Sequence, residues 1–367
     1  MRLIYISLFF LLWLVRCQTA RPVDLKEGIE IRVRGVLTEE PIVFGQTQSF
    51  SLQGVKIKTP RFPEYHYSDR LIITGRVKVR VINRFYKQYT LIYPEIEAQG
   101  LRDKEKGILS FIFKLRKKIE EIYDQTLPEP QASLLAGIVL GSKRRISDRF
   151  FQALKKTGTL HVVVASGANI SLVSQPLLEN LSGFLSRKIA LLITFVLMWF
   201  YTIMAGFDPP VVRAALMASF AFLAQFLGRE RDVVRSLLLA AGLMLLIDPL
   251  IVFDLGFQLS FSATAGILLF YEKIKPFFSR LSFFGDGLAT TLAAQVFVLP
   301  IIFLNFKEIS LISPLVNALV LWTIDPLMKL GGVMAAFGIL SRLLGQILAY
   351  PAWLLLTFFV KVIEIWA

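Results

Sequence analysis

The stretch His161–Val173 reads HVVVASGANISLV, an apolar run interrupted by an imidazole, a hydroxyl, a glycine and a carboxamide. It decides the fold because a soluble-looking half of the chain gives way here to a membrane half. A bilayer core holds no water, so His161, Ser166 and Asn169 are costly there unless each finds a partner or lines a wet cavity. Gly167 lets the backbone unwind or lets another helix approach closely. A broken segment of this kind is expected to wall a pathway through the membrane.

Composition supports the division. The chain has 367 residues, 55% of them hydrophobic and 13% aromatic, with a formal charge of +14. Mean hydropathy is +0.60 and the pI is about 9.8. Soluble domains are only about 45–50% apolar. The basic excess fits cytoplasmic loops rich in Lys and Arg, and it also suits an anionic partner such as nucleic acid or anionic lipid. One cysteine, Cys17, forms no internal disulfide, and the histidines are His66 and His161 alone. Cysteine-based and multi-histidine zinc sites are therefore excluded. Carboxylate sites for Mg²⁺ stay formally open, but no cofactor is expected.

Before the membrane half come three regions. Residues 1–24 hold an apolar run, LIYISLFFLLWLV at 3–15, between Arg2 and Arg16. It is short for a span, and an uncleaved anchor is expected, with a signal-peptide core as the alternative. Residues 25–103 alternate apolar with polar or charged side chains, as in IRVRGVL and ITGRVKVRVI. Strands are expected over Glu30–Leu37, Gln48–Lys58, Arg70–Ile82 and Phe85–Ile96. Four or five strands in so short a region suit a small all-β, OB-like barrel. Residues 104–160 combine an amphipathic helix at 107–124, lying on the membrane or on the bundle, with an apolar piece, Leu134–Leu140, too short to span. They also carry a basic collar of Lys143, Arg144, Arg145, Arg149, Lys155 and Lys156 against the single acid Asp148.

Residues 161–367 form a series of apolar segments, roughly 161–182, 188–205, 211–227, 234–252, 255–271, 287–304, 311–327, 328–341 and 344–366. Pro300 and Pro314 suggest further broken helices. The fold class is a polytopic α-helical membrane protein with a small amino-terminal all-β domain. Positive charge recurs at alternate junctions, at Arg187 and Lys188, at Arg229, Arg231 and Arg235, and at Lys273, Lys275 and Arg280. The positive-inside rule places these in the cytoplasm, and His161 and the β domain outside. The collar then also lies outside, against the rule. It serves either to gather a polyanion or to meet lipid headgroups beside a re-entrant hairpin.

Three clusters could carry chemistry or transport. His161, Ser166, Gly167 and Asn169 form the first. A Ser–His pair is conceivable if the helix breaks, but no acid completes a catalytic set, so no catalytic residue is assigned. Asp208 and Arg213 form the second, in FDPPVVRAALM. An arginine in an apolar segment either pairs, here with Asp208, or faces a polar cavity, where its planar fork suits phosphate. Gln258, Ser260 and Ser262 form the third, in DLGFQLSFSATAGI. There Gly256, Ser260 and Thr264 share one helical face, and Ser262 and Gly266 an adjacent one. Gln295 and Asn317 add polar points to later segments.

These blocks resemble a known family in order and in kind. KKTGTL with HVVVASGANISLV, FDPPVVRAALMA, IDPLIVFDLGFQLSFSATAGI, AAQVFVLPIIFLNF and SLISPLVNALV resemble successive signatures of the ComEC-type competence proteins. The resemblance covers residues 130–330 most strongly. It implies an inner-membrane channel that passes single-stranded DNA during natural transformation. Larger members add a metallo-β-lactamase-like domain, whose ligands two histidines cannot supply, so the expected form lacks it and any nuclease is a separate polypeptide. Many members carry a histidine where this chain has Asn169, so no role of that histidine transfers.

The expected function is therefore DNA uptake through a conduit lined by His161, Ser166, Gly167, Asn169, Asp208, Arg213, Gln258, Ser260, Ser262, Gln295 and Asn317. Such a conduit needs many weak phosphate contacts instead of one deep well. No GxxxxGK[ST] loop is present, so the drive comes from elsewhere. The expected partners are single-stranded DNA, membrane lipids, a separate nuclease, a DNA receptor and a cytoplasmic ATP-driven motor. The rivals are a membrane enzyme using His161 and Ser166 on a lipid-linked substrate, and a truncated scaffold acting only with a partner.

Overall fold

In the computed structural model the described residues are 12–13, 15–16, 25–37, 41–44, 46–67, 69–83, 86–98, 107–142, 146–163, 166–230, 232–278, 283–306 and 312–367. They divide into two compact units, Met1–Leu115 with Glu230–Asp254, and Arg116–Arg229 with Leu255–Ala367.

The first unit contains the strands β1 (Glu30–Val36), β2 (Ile42–Phe44), β3 (Thr47–Leu52), β4 (Val55–Pro60), β5 (Arg70–Asn83), β6 (Tyr86–Ile92) and β7 (Glu95–Ala98). The sheet runs β1-β5-β6-β4-β3-β2, with β7 on β5. β4 and β6 are parallel, Ile57 facing Leu91, while the other pairs are antiparallel. The sheet curls into a half-barrel. A Cβ added at Gly35 in β1 would lie 2.9 Å from Leu52 in β3. Gln53 Nε2 also donates to Arg34 O at 3.0 Å.

Alternation builds the core of this unit. Val33, Phe50, Leu52, Val55, Ile57, Leu71, Ile73, Val77 and Leu91 all point inward. Gly75 belongs to the same inward row, where a side chain would meet Pro94 Cβ at 2.8 Å. Each buried Leu or Ile contributes about 1.5–3 kcal/mol. Buried Gln48 ties down the loop after β4, donating to Pro60 O at 2.8 Å and accepting from the Tyr65 N–H at 3.2 Å.

Two expected strands prove to be pairs. Gln48–Lys58 turns at Gln53 and Gly54, both with positive φ, closing a two-residue hairpin between Leu52 and Val55. A turn of that twist matches the flanking strands. Phe85–Ile96 is interrupted at Tyr93 and Pro94, with Tyr93 at φ 51°, but this is no hairpin: β6 and β7 both run antiparallel to β5.

Of the amino-terminal apolar run, residues 3–11 and 14 lie outside the described residues. Arg16 donates to Leu246 O and Ile247 O at 3.2 and 3.1 Å, and Trp13 donates to Pro249 O. The Leu246 and Ile247 carbonyls end a helix of this same unit, Val233–Ile247, and Pro249 follows it. A cation there satisfies orphan acceptors and the helix dipole together.

In the second unit we number the helices α1 (Ile108–Thr126, of which 116–126 belong here), α2 (Gln131–Leu140), α3 (Asp148–Lys156), α4 (Leu160–Val163), α5 (Gly167–Phe184), α6 (Arg187–Met204) and α7 (Pro209–Phe226). The Val233–Ile247 helix is α8. There follow α9 (Leu255–Phe278), α10 (Phe283–Phe306), α11 (Ser313–Val320), α12 (Ile324–Leu340) and α13 (Arg342–Trp366). Among the described residues five stretches are long and apolar enough to cross a membrane: Arg187–Met204, Pro209–Phe226, Gly285–Asn305, Ser313–Leu340 and Arg342–Trp366. The helix expected at 107–124 packs on this bundle through Ile119 and Tyr123. Burial pushes the Tyr123 hydroxyl above its ordinary range, so it stays protonated, and it donates to Gly331 O at 2.9 Å.

Small residues set the closest approaches. A Cβ at Gly266 of α9 would run into the Ala293 carbonyl of α10 and stand 3.2 Å from Ala294 Cα. A Cβ at Gly137 of α2 would meet Val163 of α4 at 2.5 Å. The expected break at Pro300 is absent: α10 continues through it, and Pro314 starts α11 instead of breaking it. The later interruption falls at the short 3₁₀ turn Leu321–Thr323, not between 327 and 328.

Candidate functional site

The stretch that opens the membrane half is broken, as its composition suggests. Thr157 and Gly158, the latter at φ +70°, end α3, and the single-turn α4 follows. The chain is then extended at Ser166 before α5 begins.

Asn169 explains the geometry around the break. It is 2% exposed. Its Nδ2 donates to Ile138 O at 2.7 Å and to the Tyr201 hydroxyl at 3.0 Å. Tyr201 in turn donates to Val139 O at 2.8 Å. Both carbonyls belong to the last turn of α2, all ten residues of which are buried. The final carbonyls of a helix have no intrahelical partner, and burying them bare costs about 1–3 kcal/mol each. Gly141 and Ser142 close the turn through the carbonyls of Gly137 and Ala136. Asn169 and Tyr201 satisfy the next two. Ser166 completes the network by donating to Asn169 Oδ1 at 3.1 Å.

His161 stands apart. It is exposed, with Nδ1 3.0 Å from Gly158 O. Among the described residues no hydrogen bond joins it to Ser166, so the pair that a nucleophilic mechanism requires is not assembled.

Arg213, one turn into α7, is 8% exposed. Its Nη1 donates to Ser260 O at 3.2 Å and to the Thr264 hydroxyl, and its guanidinium lies 5.6 Å from the Phe261 ring centre. The alternative of a pair with Asp208 is not realised. Asp208 has an interaction of its own, and among the described residues no carboxylate pairs with Arg213. Gln258, Ser260 and Ser262 are half-buried on α9. A third polar group joins α10 to α11, where Gln295 and Asn317 both donate to Ser313 Oγ, at 3.3 and 3.2 Å.

Three of the polar groups among the described residues of the unit gather residues that the sequence marks out. The first gathers Ser166, Asn169 and Tyr201, the second Arg213, Ser260 and Thr264, the third Gln295, Ser313 and Asn317. Sequence reasoning missed Tyr201 and Ser313. The available signal for Tyr201 was a hydroxyl inside an apolar segment, which needs a partner when buried. Among the described residues no three His, Cys, Asp or Glu side chains come together to hold a metal ion.

Of the basic collar, Lys143, Arg144 and Arg145 lie outside the described residues. Arg149, Lys155 and Lys156 are exposed on α3, whose Phe150 and Leu154 are buried on the other face. Ser147 caps the helix by accepting from the Phe150 N–H at 3.3 Å.

The helical region is similar in sequence to known proteins. A family model described as Competence protein matches residues 138–367. ComE operon protein 3 of Bacillus subtilis (strain 168) is 27% identical over 215 residues, which is 57% of this chain and 26% of that protein. Competence protein ComA of Neisseria gonorrhoeae is 29% identical over 218 residues, 54% of this chain and 30% of that one. The chain thus spans between a quarter and a third of the length of these two relatives. An uncharacterised protein of Aquifex aeolicus (strain VF5) is 27% identical over 349 residues, 89% of this chain and 79% of its own length. No solved structure matches. The five membrane-length stretches and the family match over most of the helical region identify the chain as a multi-pass membrane protein of the competence protein family.

Proposed function

We propose that the protein is an inner-membrane channel component for the uptake of DNA, as a single strand, during natural transformation. The observation that carries this reading is the set of polar groups inside an apolar helical unit, within the part of the chain that the competence family matches. A solely structural bundle has little use for a buried arginine without a carboxylate. A conduit for a polyanion does, because each passing phosphate needs a weak, replaceable partner.

In this reading Ser166, Gly167, Arg213, Gln258, Ser260, Ser262, Gln295 and Asn317 face or adjoin the path, with His161 and Asp208 at its outer end. Asn169 holds the break open from behind. The β domain lies outside the cytoplasm, and the collar there, including Arg149, Lys155 and Lys156, attracts DNA. The position of Arg16 supports that side: it meets α8 at the carboxy-terminal end, which the loop charges put outside. A separate nuclease, a DNA receptor and an ATP-driven motor would complete the machine. The enzyme reading is weaker, since His161 and Ser166 each bond elsewhere.

Uptake of fluorescent DNA by cells with and without the chain tests the proposal. Loss of protected intracellular DNA on deletion, restored by the wild-type chain, is expected. Undiminished uptake in the deletion would refute it.

A further inference from the structure

Arg213 presents an electrostatic problem. A guanidinium has five N–H donors, and this one is buried with no carboxylate partner among the described residues. Its Nε is buried and makes no hydrogen bond. Its Nη2 points at the start of α5, 2.8 Å from where a Cβ on Gly167 would be. A helix amino-terminus carries roughly half a positive charge, so a cation beside it is repelled.

The start of α5 is itself open. Ser166 stands at the capping position, but its hydroxyl caps no backbone N–H. It donates to Asn169 instead. Among the described residues the N–H groups of Gly167 and Ala168 therefore lack an acceptor, and Ala168 is exposed. The neighbouring start of α7 does not compete for an anion. Pro209 and Pro210 have no N–H there, and those of Val211 and Val212 are used by Asp208 O at 2.9 and 3.1 Å. Two positive elements with unused donors thus face one another, and the group that resolves both deficits is an anion.

We propose that Arg213 and the open first turn of α5 form a binding site for a phosphodiester group of a nucleic acid strand. The identity of the ligand rests on the DNA-uptake reading above; the anion site rests on the geometry. The missing Cβ at Gly167 is what lets the guanidinium reach the helix end.

The test uses the full chain purified in a maltoside detergent, with a short fluorescent oligothymidylate as probe. Arg213→Met is expected to weaken oligonucleotide binding about tenfold or more and to lower the salt slope by about 0.7. Arg213→Lys is expected to fall between, since it keeps the charge but loses the fork. Inorganic phosphate is expected to raise the Tm of the wild type by a few degrees and that of Arg213→Met not at all. Without ligand, Arg213→Met is expected to be at least as stable as the wild type, because it removes an uncompensated buried charge. Equal oligonucleotide affinity in wild type and Arg213→Met would overturn the proposal, as would collapse of Arg213→Met in the absence of ligand, which marks a structural arginine. Stabilisation by phosphatidylglycerol with no oligonucleotide binding would make this a headgroup site and overturn it equally. Uptake in cells lacking the chain reads the transport function separately: normal uptake there, with Arg213-dependent binding intact, would refute transport and leave the anion site standing.

Discussion

The curled sheet and the helical unit place their side chains in opposite ways. In the sheet, Ile57, Ile73 and Leu91 are fully buried while Lys56, Lys58, Arg32 and Arg34 face out. In the helices, Leu192, Leu304, Leu343 and Ile347 face out while Asn169, Thr194, Arg213 and Asn317 are buried. The first is the arrangement water imposes. The second is what a hydrocarbon surrounding permits, where apolar surface outside costs nothing and polar groups gather inside with one another. Stability therefore has different sources: apolar burial in the sheet, and close backbone approach with polar contacts such as those of Asn169 in the helices.

Substitutions sharpen the contrast. The largest effect is expected at Gly266, where a side chain would push into the α10 backbone. Gly266→Leu should cost at or beyond the ~3 kcal/mol upper range of overpacking, and size-exclusion profiles after membrane extraction should show no folded peak. A normal profile would mean that α9 and α10 are not in close contact. Next comes Ile57→Ala, which should cost about 2–5 kcal/mol in thermal unfolding by emptying the sheet core. Asn169→Leu should follow at about 1–3 kcal/mol, despite being more apolar, because it strands the Ile138 carbonyl. A stabilised Asn169→Leu would break the comparison, since apolar burial would then govern both units. Lys58→Gln, exposed on β4, should stay within about 0.5 kcal/mol of the wild type.

The parts of the fold that a linear pattern can encode were the legible ones. Alternation located β1 and β5 nearly to the residue, and it signalled the curled sheet. It ran straight through Gln53-Gly54, where the backbone reverses by positive φ, and through Tyr93-Pro94, where the strand is interrupted without changing direction along β5. Helix-breaking chemistry was less decisive. Pro300 sits inside a continuous helix, whereas the real break near Ser166 was marked by polar residues and a glycine. Individual site residues were visible as polar points in apolar runs. Their partners were not, since Arg213 meets Ser260 and Thr264 from 47 and 51 positions away. The same limit hid the role of Asn169. Only the fold brings it to the end of α2, 31 residues back in the chain.

The most direct test of the central claim, that the break before α5 walls a path for DNA, is uptake of labelled DNA by cells carrying Ser166→Ala or Gly167→Leu, with membrane insertion verified. A leucine at 167 would drive into Arg213 and Ala214, so Gly167→Leu should abolish uptake, while Ser166→Ala, which keeps the small size, should retain most of it. Normal uptake in Gly167→Leu beside complete loss in Ser166→Ala would contradict the account and favour a nucleophilic serine.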